Sequence, residues 1–544
     1  MTEIQKFLQQ VRTLIDDLKS VCANYGLGND GNEFKIITQI FLYKFLHDKF
    51  VYEVKQVDEK LQHASDWEKQ FAAYSKDEFE MLTLKFSEGT AVIKSEQLIP
   101  SLFARQNEGN FADIFDKTLL DIAKENSDIF SVVTVGGEKV ALFENLSKYV
   151  SDNRDDFCKA IINKLVGFSF ENIFDEGFDF FSSIFEYLIK DYNSDSGGKY
   201  AEYFTPHSVS KIMAKCLVSD TKKGSINNVS CYDPSAGSGT LLMNLAHQIG
   251  EDKCTIYSQD ISQKSSNLLR LNLILNKLVH SIHNIIQGNT LVKPVHKDRS
   301  GRLNTFDYVV ANPPFKLDFS DFRDELDKRE NSERFFAGIP KVPPKKKDSM
   351  AIYLVFLQHI IFSLKSEGKA AVVVPTGFIT AHSGIDKKIR QKLVDDQMLR
   401  GVVSMPSNIF ATTGTNVSIL FIDKTNKKDV VLIDASALGE KVKEGKSQKT
   451  HMSGADEAKI INSFNEKAIV DDLSVVVSYE NIKAKNYSFS AGQYFEAKTE
   501  YVDINEDEFQ GKLATHSKNL NVMAKKSEML SEKVQKMLKK LKYD

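Results

Sequence analysis

Nowhere in the 544 residues do 18 apolar residues follow one another, so the chain offers no transmembrane span. Its opening, Met1-Thr2-Glu3-Ile4-Gln5-Lys6, lacks a charged stretch ahead of an apolar one, and no signal peptide is expected. Cysteine is scarce. Cys22, Cys158, Cys216, Cys231 and Cys254 are scattered without a CxxC pair, which argues against a disulfide frame or zinc site and for reduced core thiols in the cytoplasm. No metal is implied. An excess of either charge is missing too: a net charge of −3 leaves any nucleic-acid contact to local basic patches. What is present, 42% hydrophobic and 27% charged residues, is the composition of a soluble globular protein. The length implies about two to four domains.

Residues 1–165 read as an all-α domain. Ile4, Phe7, Leu8, Val11, Leu14, Ile15 and Leu18 recur at helical spacing, and Phe34, Ile37, Phe41 and Phe45 make a second stripe. Both stripes read as core. The small, polar run from Asn193 to Gly198 marks a boundary or hinge. Residues 166–480 hold the chemistry, and from about 199 onward strands alternate with amphipathic helices. Candidate strands are Val229–Tyr232, Thr255–Ser258, Asn284–Gln287, Phe306–Ala311, Ala370–Val374, Leu399–Ser404 and Ser418–Ile422. Helical patterns at Leu241–Gly250, Lys264–Asn276 and Ala351–Lys365 lie between them. This is the pattern of an α/β, doubly wound, Rossmann-like core with ligands at the carboxyl ends of its strands. The last two strands have no long helix between them and are expected to close an antiparallel edge. Residues 481–544 form a helical tail. Leu513, His516, Leu520, Met523, Ser527, Leu530, Val534, Met537 and Leu541 follow steps of three and four, a seam near the coiled-coil repeat flanked by lysines.

The first strand of the core runs into Asp233-Pro234-Ser235-Ala236-Gly237-Ser238-Gly239-Thr240. Glycine permits a tight turn and close backbone approach to a ligand. No Gly-Lys-Ser/Thr follows, and Gly-x-Gly-x-x-Gly is absent, so neither the phosphate loop nor the dinucleotide fingerprint applies. Asp233 at the turn suits a cationic cofactor better than a pyrophosphate; a helix-capping carboxylate is the plain alternative. The second strand ends at Asp260, an acid able to accept from both ribose hydroxyls or to cap the next helix. After the third strand, Asn289 could meet an adenine amino group.

After the fourth strand stands Asn312-Pro313-Pro314-Phe315. The prolines lack donors and stiffen the loop. The Asn312 side chain and the Pro313 carbonyl are two acceptors for the two N–H bonds of an exocyclic amine, and Phe315 offers a face for a planar ring. Holding an aromatic amine this way keeps its nitrogen lone pair out of the ring and makes it nucleophilic. An ordinary Asn-Pro turn is the bland alternative.

Taken together these motifs resemble the modification (M) subunits of type I restriction–modification systems, DNA N6-adenine methyltransferases that use S-adenosyl-L-methionine. The resemblance runs over the whole chain and is strongest over 198–422. It includes Lys199-Tyr200-Ala201-Glu202-Tyr203-Phe204-Thr205-Pro206-His207, Asp348-Ser349-Met350-Ala351, Val374-Pro375-Thr376-Gly377, Met405-Pro406-Ser407-Asn408-Ile409-Phe410 and, in the tail, Asn486-Tyr487-Ser488-Phe489-Ser490. The resemblance implies that Tyr200, Glu202, Tyr203, Phe204, Thr205, Pro206 and His207 close over the methionine part of the cofactor. Asp233, Ser235, Gly237, Ser238, Gly239, Thr240, Asp260 and Asn289 would complete that site, with Asn312, Pro313, Pro314 and Phe315 catalytic. A helix start capped by Thr205 is the alternative for the first group. The family commonly has Asp where this chain has Asn289, so the charge at that position is gone.

The target adenine would be flipped out of duplex DNA. Transfer is a direct displacement at the sulfonium methyl, and no acidic or histidine general base is evident. Lys345, Lys346 and Lys347 lie between the catalytic loop and the next helix, as phosphate contacts or as a solvated loop. Only about 80 residues separate Ile422 from the tail, with no evident base-reading module. The resemblance therefore implies a separate specificity (S) subunit, a second M subunit and a restriction/motor (R) subunit as partners, with no membrane. Nothing here reads as a nuclease or ATPase. A protein-glutamine or RNA methyltransferase, and a catalytically silent scaffold in a DNA-binding assembly, are the rival readings.

Overall fold

The computed structural model describes residues 3–28, 31–171, 174, 183–185, 187–188, 205–219, 226–410, 416–444, 447–495 and 504–539. The chain divides into two compact units, Met1–Tyr494 and Phe495–Asp544.

Among the described residues the first unit is built on an eleven-stranded sheet. Its core strands are β3 (Val229–Asp233), β4 (Cys254–Asp260), β5 (Ile285–Gln287), β6 (Phe306–Ala311), β7 (Leu364–Pro375), β8 (Leu399–Ser404) and β9 (Val417–Asp423). All seven of the expected strands are present. They read clearly because strands covered on both faces are continuous apolar runs: every residue of β9 is buried.

From β3 the chain steps outward through β4 to β5, all parallel, then crosses back to β6 and β7 on the other side of β3. The crevice where this direction reverses, between β3 and β6, is where an open α/β sheet binds its ligands. The helices Thr240–Ile249, Gln263–Leu275 and Tyr353–Phe362 follow the expected pattern within two or three residues.

Two parts of the sheet went unforeseen. β8 and β9 do pair antiparallel, but they do not form the edge: β10 (Val430–Asp434) lies parallel beside β8, and β13 (Ser474–Val477) closes that side. At the opposite edge the N-terminal region, otherwise helical, adds β1 (Val132–Thr134) parallel to β5, followed by β2 (Lys139–Val140). Buried Arg270 secures this edge by donating to the carbonyls of Val140 at 3.0 Å and Ala141 at 3.1 Å. A Cβ on Gly288 would lie 1.8 Å from Val135 Cγ2, so only glycine lets the chains approach there.

Both N-terminal stripes are core, on the helices Glu3–Asn24 and Gly31–Val57. Val11, Leu14, Ile15 and Leu18 are buried, as are Phe34, Ile37, Phe41 and Phe45. All five cysteines are buried and free. No helix of the described residues is long and apolar enough to cross a membrane.

Among its described residues the second unit is one helix, Glu506–Leu538, capped by Asn505, whose Oδ1 accepts from the Glu508 amide at 2.8 Å. A single helix cannot bury its own apolar stripe: Leu520, Met523 and Met537 are each more than 60% exposed.

Candidate functional site

Four strand ends build one cavity of about 280 Å³ at the switch point of the sheet. Asp233, Ser235, Ser238 and Thr240 enter it from the end of β3, Asp260 from β4, Asn289 from beyond β5, and Asn312 and Pro314 from β6. Thr205 reaches it from just ahead of the helix His207–Leu217. Nine of the residues singled out from sequence thus converge on one space.

The glycine turn holds its shape through Gly237 and Gly239, at φ +54° and +81°. A Cβ on Gly239 would also sit 2.2 Å from Leu269 Cδ1, so that turn packs directly on the helix behind it. Asp233 does not cap the next helix. Its Oδ1 accepts from the Ser235 amide at 2.9 Å, closing the turn upon itself. Asp260 is not a helix cap either, because Ser262 fills that role. One Asp260 oxygen accepts from the Ser262 amide at 2.9 Å, and the other accepts from the Gly237 amide at 3.0 Å.

Both carboxyls are buried, and burial pushes both pKa values above the carboxylate range; for Asp233 the neighbouring charge of Asp260 adds to the rise. Two adjacent buried acids disfavour being ionised together. A cation placed between them relieves that penalty.

The turn after β5 is pinned from below. The Thr290 hydroxyl lies 2.8 Å from the Pro234 carbonyl and 2.9 Å from the Gln259 carbonyl, donating to one at a time. Asn289 Oδ1 accepts from the Leu291 amide at 3.0 Å and the Val292 amide at 3.3 Å. With its oxygen committed, Asn289 presents an amide NH₂ where a carboxylate would present a second oxygen.

Asn312 Nδ2 donates to Thr205 Oγ1 at 3.2 Å across 107 residues of chain. The amide is held through its nitrogen, and Oδ1 has no hydrogen-bond partner among the described residues. Thr205 caps no helix; Pro206 stands at the cap position of the helix that His207 opens. Phe315 lies outside the cavity, edge-on to Tyr353 with ring centroids 6.2 Å apart. The Tyr353 hydroxyl donates to Asp386 Oδ1 at 2.6 Å, fixing that ring. Pro313, Gly237 and Gly239 shape the loops without lining the cavity. Lys345, Lys346 and Lys347 are exposed in the connection leaving β6. Tyr200, Glu202, Tyr203 and Phe204 lie outside the described residues.

Sequence reading missed Arg334. It is 5% exposed, and its guanidinium donates to the Leu291 carbonyl at 2.8 Å, the Thr290 carbonyl at 3.0 Å and His359 Nδ1 at 3.0 Å. Because Nδ1 accepts there, the ring proton sits on Nε2, 3.2 Å from the Tyr232 hydroxyl. Burial, then the Arg334 charge, holds the His359 pKa well below the usual histidine range, so the ring is neutral. The loop after Asn312 is thereby clamped to the turn that carries Asn289. Ile261 and Leu317 add apolar walls to the cavity although each is exposed. No periodic signal marks any of the three; for Ile261 only its place after the second-strand acid could have.

A doubly wound sheet with a glycine turn, paired acids at its switch point and an Asn-Pro-Pro-Phe loop beside them has the architecture of an S-adenosylmethionine-dependent methyltransferase. The chain belongs to the N-6 DNA methylase family, whose match spans residues 176–503. It is 31% identical over 378 residues to the type I restriction enzyme MpnII methylase subunit of Mycoplasma pneumoniae, covering 67% of this chain and 65% of that protein. It is 26% identical over 375 residues to the type I restriction enzyme MjaIX methylase subunit of Methanocaldococcus jannaschii, covering 66% and 63%. The chain thus matches just under two thirds of the length of these curated relatives. The fold is shared with the crystal structure of the type I restriction-modification system methyltransferase subunit from Streptococcus thermophilus, at a TM-score of 0.71 and 21% identity over 91% of this chain and all of that one.

Proposed function

We propose that this chain is the methylating subunit of a type I restriction–modification complex, acting on the N6 amine of an adenine flipped out of duplex DNA. The observation that carries the reading is the convergence of Asp233, Asp260, Asn289 and Asn312 on one cavity at the switch point. The residues present suit S-adenosylmethionine, because a buried acid pair favours a cationic ligand and the glycine turn admits close backbone approach.

When bound there, S-adenosylmethionine would supply an electrophilic methyl group on a sulfonium. Asp260 would accept from the ribose hydroxyls while keeping the Gly237 turn in place. Asn312 Oδ1, its amide held by Thr205, and the Pro313 carbonyl would accept the two N–H bonds of the target amine, with Phe315 against the base. The nitrogen becomes cationic as its new bond forms and sheds its proton to water without a strong base. Rate enhancement in such a site comes from alignment and fixed dipoles.

Sequence reading is assigned to a separate specificity subunit, paired through the apolar seam of the helix Glu506–Leu538, with a second methylating subunit and a restriction/motor subunit completing the assembly. The names of the relatives support this, and so does an exposed seam that needs a partner. The complex would work in the cytoplasm. Calorimetry with S-adenosylhomocysteine, followed by methylation of duplex DNA in the presence of the specificity subunit, tests the reading. Methylation of RNA or of a protein amide instead of DNA would replace it.

A further inference from the structure

We propose that a lysine-faced β-ribbon beyond β10 grips the phosphates of duplex DNA several base pairs from the target base, an assignment that rests on the DNA-methylating reading above. The ribbon is β11 (Glu440–Glu444) and β12 (Ser447–His451), a two-stranded sheet of their own. A two-stranded ribbon alone is marginal in water. This one is fastened at its base: the Thr450 amide donates to the Asn408 carbonyl at 3.0 Å, and the Thr450 hydroxyl donates to the Ser407 carbonyl at 2.7 Å. Its sequence is not needed to build a core, and so is free to serve something bound.

One of its faces carries lysines without acids. Lys441 stands opposite Thr450 and Lys443 opposite Gln448, and side chains alternate along a strand, so these four share one face. Glu440, Val442, Lys449 and His451 point the other way, a face of mixed charge. The first face carries two exposed cations and no acid. Thr450, at the base of that face, bonds into the loop after β8, the neighbour of β10 on the side toward β6.

It is also at the correct edge. β10 is parallel to β8, and two antiparallel pairings through β9 make β8 parallel to β7 and β6. The ribbon consequently leaves the same edge of the sheet as the site and the Lys345–Lys347 loop. Four strand steps separate β10 from β6, about 19 Å at about 4.8 Å per step. That distance corresponds to about five or six base pairs along a duplex. A duplex lying on this edge with its target base at Asn312 would meet the ribbon about half a helical turn away. Lysines bound to phosphates add affinity and register without reading sequence, as suits a subunit whose specificity lies in another chain.

The test uses the full chain saturated with S-adenosylhomocysteine and a fluorescent DNA duplex, in a salt series. Lys441→Ala/Lys443→Ala should weaken duplex binding by about fivefold or more at low salt, and should make the slope of log K on log salt shallower by about two units. Lys441→Arg/Lys443→Arg should keep both. The melting temperature and S-adenosylhomocysteine affinity should not move, since both lysines are exposed. Unchanged duplex affinity and slope in the alanine variant, with S-adenosylhomocysteine bound normally, would overturn the assignment. So would intact DNA binding with lost capture of a protein subunit, which would make the ribbon a protein contact. A wild-type chain that binds neither S-adenosylhomocysteine nor duplex would sink the underlying reading as well.

Discussion

Asp260 Oδ2 accepts a hydrogen bond from the Gly237 amide at 3.0 Å, so the acid that ends β4 and the glycine turn that follows β3 are one mechanical piece. Removing that carboxylate loosens the turn and, on the function proposed, deletes an acceptor for ribose. Asp260→Ala should weaken S-adenosylhomocysteine binding by about 1.5–3 kcal/mol, the range for hydrogen bonds to a charged group. Titration calorimetry measures it directly. Unchanged affinity would confine Asp260 to its two backbone bonds.

The paired acids also set a pH dependence. Burial first, and the Asp260 charge second, raise the Asp233 carboxyl; burial raises that of Asp260. The folded chain then keeps protons that the unfolded chain has lost. The pair's contribution to stability is therefore present below the ordinary carboxylate pKa of 3.8 and is lost as pH rises through the folded values. A cationic cofactor shifts the preference back toward ionised carboxylates. S-adenosylmethionine binding should release protons and tighten as pH rises through these titrations, and Asp233→Asn should abolish most of the release. Calorimetry in two buffers of different ionisation heat reads the proton count; uptake of protons would contradict the assignment.

Arg334 yields a third expectation. Arg334→Leu strips a donor from the buried carbonyls of Thr290 and Leu291, and should cost at least about 2 kcal/mol of stability. Because the same turn holds Asn289, cofactor affinity should fall too, with Arg334→Lys between wild type and the leucine variant. Thermal melts beside calorimetry separate the two effects. A lower melting temperature with unchanged affinity would leave Arg334 a purely structural clamp.

The seven central strands and the convergence of their loops were legible because local signals and burial agree there. Phe306–Ala311 is apolar throughout, and Asn-Pro-Pro-Phe stops it abruptly. β1 and β2 were not legible: three and two residues inside a helical region carry too little pattern, and their pairing with β5 is fixed by tertiary contact. Arg334 was missed for a related reason. It lies in the long aperiodic stretch between Asn312 and Tyr353, and its acceptors at Thr290 and Leu291 lie more than 40 residues away. That neither Thr205 nor Asp260 caps a helix follows from Pro206 and Ser262 standing at the cap positions, and their bonds to Asn312 and Gly237 span 107 and 23 residues, which no spacing encodes.

The tail supplies a fourth expectation. Deleting residues from about 510 onward removes the seam of Leu513, Leu520, Leu530 and Val534, each more than half exposed. If that seam serves another chain, the truncated subunit should keep its melting temperature and cofactor binding yet fail to co-elute with its specificity partner. A complex of normal size in size-exclusion chromatography would refute this, and so would a large loss of stability without loss of assembly.

On the function proposed, the role of the Asn312 loop is to direct a methyl group to adenine N6. It is tested most directly by nucleoside mass spectrometry of duplex DNA incubated with S-adenosylmethionine, the specificity subunit and either the wild-type chain or Asn312→Ala. N6-methyladenine is expected with wild type and none with Asn312→Ala, whose S-adenosylhomocysteine affinity stays within about threefold because the lost interaction serves the reacting amine. Methylcytosine as the product, no methylated base from a wild-type chain saturated with cofactor, or full activity in Asn312→Ala would contradict it.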